Sequence, residues 1–179
     1  MRSRKFLAVT FLCISISFLF YGCPYDSPFP LSPAAEAKLD ERLIGAWQIA
    51  PEKDRSGGTV FIYPFNETEY IIVLREAKSE GDIFMLKAFV TAVGDAKFLN
   101  AAEIGPVPPK KWYLVNYSLS GDTLITKTVQ DKIFKDKKFA SAGELRGFIG
   151  RNLGNKDLYS SSDGKTEKSD ELVLTRITK

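Results

Sequence analysis

The sequence predicts a mostly β domain: an antiparallel, up-and-down barrel of about eight strands, with a short helix in front and one amphipathic helix before the last strand. Three observations carry this. Segments rich in Phe, Tyr, Ile, Val and Thr recur from residue 45 to 128. The connections between most of them are too short for parallel crossovers, which need a dozen residues or more. A single stretch with helical apolar spacing interrupts the pattern near residue 145.

The N-terminus precedes this domain. Arg2, Arg4 and Lys5 stand before an apolar run from Phe6 to Tyr21. As a helix that run is about 24 Å long, short of the roughly 30 Å hydrocarbon thickness of a bilayer. A charged start, a short apolar middle and small Gly22 are the marks of an export signal, residues 1–22, with an uncleaved anchor as the alternative. Its removal takes three of the 25 basic residues and levels them with the 22 acidic ones. A near-neutral body has no electrostatic motive for binding nucleic acid. It also keeps one cysteine, Cys23, so no internal disulfide is available. The chain has no His, the commonest metal ligand and general base.

Residues 23–33 contain Pro24, Pro28, Pro30 and Pro33 and read as an extended tether. From Ser32, as N-cap with Pro33 at the first helical position, AAEAKLDERL reads as a short helix. The domain proper is expected over residues 34–179. Its strands are LIGAWQIA, GGTVFIYPF, ETEYIIVLRE, GDIFMLKAFVTAV, AKFLNAAEI, KWYLVNYSLS, DTLITKTV and, last, ELVLTRIT. Gly94-Asp95 and Ser120-Gly121-Asp122 punctuate hairpins. The strand with Phe84, Leu86, Ala88 and Val90 on one face and Ile83, Met85 and Phe89 on the other is covered on both sides. In FASAGELRGFIGRNLGN, Ser141 and Glu144 have capping-box spacing, and Leu145, Phe148, Ile149 and Leu153 share a helix face. Eight such strands leave exposed edges unless the sheet closes, which favours a barrel over an open sheet or a sandwich.

Two resemblances bear on function. Leu19-Phe20-Tyr21-Gly22-Cys23 resembles the lipobox of bacterial lipoproteins, although Phe20 and Tyr21 depart from its aliphatic and small positions. The resemblance implies that Cys23 carries acyl chains such as palmitate. It also implies an address in the bacterial cell envelope, at the outer membrane on its periplasmic or surface side. Two or three chains hold durably where one does not. Gly45-Ala46-Trp47 at the first strand resembles the G-x-W motif of lipocalins, and the order of elements is similar. The second lipocalin motif, T-D-Y-x-x-Y, is absent. The resemblance implies that Gly45 and Trp47 lie at the closed end of the barrel, with an Arg packed on the indole; Arg176 is the candidate by position. Cys-Pro-Tyr, the proline-rich run and Leu-x-Gly-x-Trp together also resemble a group of uncharacterised bacterial lipoproteins.

The expected partners are the membrane and a hydrophobic small molecule or lipid. Tyr63, Tyr70, Phe84, Trp112, Tyr113 and Tyr117 are the candidate ligand-contacting residues. A solid barrel that contacts an envelope protein through its loops is the alternative, because eight-stranded barrels are often filled by side chains. No nucleophile elbow, phosphate loop or informative carboxylate pair is present, so an enzyme and a cofactor are not expected.

Overall fold

The computed structural model describes residues 24–52, 56–77, 83–105, 109–135, 137–160 and 171–178. Eight strands close into one antiparallel barrel in sequence order: β1 (Gly45–Ile49), β2 (Gly58–Pro64), β3 (Tyr70–Glu76), β4 (Ile83–Val93), β5 (Ala96–Glu103), β6 (Tyr113–Ser120), β7 (Thr123–Thr128) and β8 (Glu171–Arg176). The expected barrel is the observed one. Closure is made by β1, which pairs with β2 on one side and with β8 on the other, Trp47 facing Arg176 in register. Gly94 and Gly121, with φ of 57° and 54°, supply the left-handed backbone that the two tightest hairpins need.

Alternation divides the side chains between two cores. Inward positions such as Val60, Ile72, Leu74, Leu86, Leu99, Leu124 and Leu174 form the barrel interior. Outward positions of β4–β6, including Val93, Phe98 and Leu114, form a second core outside the barrel. That second core explains why β4 is apolar on both faces. Its cover is α1 (Ala142–Arg151), which inserts Leu145 and Ile149. The expected cap forms with its return bond one residue early: Ser141 Oγ accepts from the Glu144 N–H (3.2 Å), and Glu144 Oε2 accepts from the N–H of Ala140 rather than that of Ser141 (2.8 Å). At Gly150 a Cβ would already lie 3.4 Å from Val93 Cγ1, so a larger side chain would lift the helix off the sheet.

Two expectations about the N-terminal part are corrected. The segment read as a free tether is docked on the outer wall. Ser27 and Trp112 exchange both backbone hydrogen bonds (3.1 and 2.9 Å), and the Tyr25 N–H donates to the Val129 carbonyl (3.0 Å). Leu31 is 1% exposed, and its N–H donates to Asn100 Oδ1 (2.7 Å). Ser32 Oγ meets Thr91 Oγ1 at 2.6 Å. Tyr25 stacks on Phe134 with centroids 3.9 Å apart. The prolines keep the run extended, but its apolar residues find an unfilled face of the sheet. The short helix after Pro33 is likewise absent: only two 3-10 turns form, Ala34–Glu36 and Glu41–Leu43. The chain must travel from the outer wall to the end of the barrel while burying Leu31, Ala37 and Leu43, and a helix advances only about 1.5 Å per residue. Cys23 and residues 1–22 lie outside the described residues, as do most of the loop over 155–170 and the centre of IGPVPPK.

Candidate functional site

The interior has two different ends. At the one where β1 begins, Leu39, Leu43 and Ile44 join the interior core and plug the barrel. Trp47 is fully buried just beneath, its Nε1 donating to the Leu43 carbonyl (2.9 Å). The Arg176 guanidinium lies 4.2 Å from the indole centroid. Its Nη1 donates to the Ile44 carbonyl (2.9 Å) and its Nη2 to that of Arg42, so one cation fastens the plug to the last strand. Gly45 has a φ of 140°, and a Cβ there would stand 2.7 Å from Arg176 Nη1. Glycine thus leaves the space that the guanidinium fills.

Beside this pair sits Asp40, a residue that the sequence did not single out. Its carboxylate receives a fork from Arg42 (2.8 and 2.7 Å), the Lys97 ammonium (2.9 Å) and the Tyr117 hydroxyl (3.3 Å). Its N–H donates to the Tyr70 hydroxyl (2.5 Å). The Arg42 hydrogen bonds, followed by Lys97, hold the Asp40 carboxyl well below its ordinary value of 3.8 despite partial burial. Burial pushes the Tyr70 hydroxyl up to about 12, against the lowering effect of its hydrogen bond with the Asp40 backbone, and pushes that of Tyr117 higher still, where the Asp40 carboxylate adds to it. A carboxyl depressed in the fold stabilises it above the ordinary carboxylate range, and that contribution is lost as pH falls. Urea midpoints should therefore drop on acidification below about pH 5, and Asp40→Asn should flatten the drop while costing roughly 1–3 kcal/mol at neutral pH. An unchanged pH profile in Asp40→Asn would show that the latch contributes nothing.

Below this latch lies an apolar cavity of about 70 Å³, walled by Val60, Ile72, Leu86, Leu99, Leu124 and Leu174 among others, with Thr126 and Thr128 the polar members. It is less than half the roughly 150 Å³ of an engineered apolar cavity that admits benzene. At the far end, the mouth, no described loop residue adds to the interior core. Tyr113 donates there to Glu103 Oε1 (3.3 Å), and burial followed by that carboxylate raises the phenol strongly. A wider groove of about 660 Å³ outside the barrel, between Ser32–Glu41 and β4–β5, is the seam of the docked segment. Two of its three cations are engaged: Lys97 holds Asp40, and Arg146 donates to the Ala92 carbonyl (2.7 Å).

The six candidate ligand contacts are scattered. Tyr70 and Tyr117 face inward, but their hydroxyls serve Asp40. Tyr113 and Phe84 lie toward the mouth. Tyr63 points outward, 51% exposed and stacked on Phe61. Trp112 also lies outside the barrel, its ring edge-on to Phe89 at 5.6 Å. None of the six walls the cavity, which is built from aliphatic residues instead. Parity turns Tyr63 and Trp112 outward, opposite their chain neighbours Ile62 and Tyr113, while the four inward candidates lie toward the two ends of the barrel. Asn100 was missed as well, although a lone Asn inside the apolar FLNAA was a usable signal. It accepts from Leu31 and donates to Thr91 Oγ1 (2.8 Å) and the Phe89 carbonyl (3.3 Å).

The chain matches no family model, no curated protein and no solved structure at a significant level, so the reading of its function rests on its own residues.

Proposed function

We propose that the chain is an exported lipoprotein of the bacterial envelope, acylated at Cys23, whose lipocalin-like barrel is not an enzyme and holds the end of a slender apolar chain. The observation that carries the binding role is the aliphatic cavity, capped by the Trp47–Arg176 plug at one end and joined by no described loop residue at the other, where Tyr113 and Phe84 stand. Its size suits a chain terminus rather than a whole drug-sized ligand, which takes about 300–1,000 Å³. With its tyrosine hydroxyls committed elsewhere, the wall offers apolar contact and little else. The ligand class is therefore a lipid or fatty acyl chain entering tip first, its polar head left at the mouth beside Glu103 and Tyr113.

The test is extraction of the protein purified from membranes, with mass spectrometry of the extract and titration of a fluorescent fatty acid. One bound chain per protein is expected. Ala101→Leu, which adds three carbons to the cavity wall, should abolish probe uptake while shifting stability by less than about 3 kcal/mol. No extractable lipid and no uptake by the unaltered protein would overturn the reading. A second reading has an observation of its own. Phe61, Val73 and Met85 form one register row on the outer wall of β2–β4, and a protein partner would bury it. One dominant cross-linked envelope protein, with no lipid uptake, would favour that role.

A further inference from the structure

We infer that the barrel rests mouth-down on the bilayer, its rim in contact with lipid rather than held away on a leash. This rests on the reading of Cys23 as the acylated residue. Pro24, the next residue, is bridged to Gln130, and Tyr25 donates to Val129 just beyond the end of β7. The Lys111 ammonium pairs with Asp26, tying the same stretch to the loop before β6. Consecutive Cα atoms are about 3.8 Å apart, so acyl chains on Cys23 start within one residue of the mouth rim. No slack remains for the barrel to stand off.

The rim has the chemistry for this contact. Ile83 and Met85 of β4 are 60% and 49% exposed, and Ile104, whose N–H donates to the Met85 carbonyl (3.4 Å), is 49% exposed beside them. Arg75, the register partner of Ile83, and Lys110, which shares a groove with Ile104 and Glu103, bring positive charge to the group. Apolar knobs edged by cations suit the interface of an anionic bilayer. The cavity mouth then opens toward the lipid from which its ligand comes.

The full chain is expressed with its own leader and reconstituted in vesicles of phosphatidylethanolamine and phosphatidylglycerol. Single cysteines replace exposed residues at opposite ends, Ile104→Cys at the rim and Asp95→Cys in the β4–β5 turn, roughly 20 Å away along the barrel. Each carries a fluorophore, and lipids spin-labelled at the headgroup act as quenchers. The mass of the N-terminal peptide reports acylation in the same samples. An acylated chain with severalfold stronger quenching at position 104 than at 95 is the expected result. Acylation with equal or reversed quenching overturns the orientation and leaves the lipoprotein reading standing. An unacylated N-terminus sinks the lipoprotein reading and the orientation with it.

Discussion

Trp47→Ala should destabilise the barrel by about 3–5 kcal/mol, a large share of the roughly 5–15 kcal/mol that holds a domain of this size. The indole is fully buried. It supplies the face on which Arg176 lies and donates the hydrogen bond that holds the plug at Leu43. Removing it leaves a hole, an unanswered carbonyl and a guanidinium without its ring. Trp47→Phe keeps most of the volume and loses the N–H, so about 1–3 kcal/mol is expected. Arg176→Lys cannot fork to two carbonyls and should resemble Trp47→Phe. Urea unfolding followed by circular dichroism gives all three values. A Trp47→Ala midpoint within error of the parent would mean that the closed end contributes little to stability.

Leu31→Ala should cost about 2–5 kcal/mol, an unexpected burden for a residue in a proline-rich lead-in. Leu31 sits on the outer wall against the core that Phe98, Leu114 and Leu145 share. Deleting residues 24–33 would be worse. Phe98 would lose the cover that Leu31 gives it, and the buried Asn100 side chain would lose the Leu31 N–H. An insoluble product, or one lacking a cooperative transition, is expected. A deletion variant with the parent's urea midpoint would restore the segment to the role of a tether.

The parts of this molecule that were legible in the sequence are those set by local periodicity. Strands such as YIIVLRE alternate visibly, and the hairpins at Gly94 and Gly121 declare themselves by residue type. Ser141 and Glu144 marked the start of α1 by spacing alone. Register is another matter. Trp112 and Tyr113 are both aromatic, and composition does not say which turns inward; only the pairing of β5 with β6 decides it. Asp40 was hidden for a related reason. In LDERL it looks like one charge on an exposed helix, yet Asp40 is extended ahead of a 3-10 turn and its carboxylate reaches Lys97 and Tyr117, 57 and 77 residues further along the chain. The lead-in misled because proline content reports an extended backbone and says nothing about what that backbone lies against.

Stability of the outer core and the proposed seating of the mouth on a membrane both depend on the lead-in being part of the barrel. Amide hydrogen exchange of the lipid-free protein, read at Tyr25, Ser27 and Leu31, tests that directly. All three N–H groups are hydrogen-bonded to the barrel or to its β6–β7 margin in the first two cases and to Asn100 in the third, so they should exchange as slowly as amides of β5 and β6. Exchange at the rate of an unstructured peptide, with the strands still protected, would contradict the account.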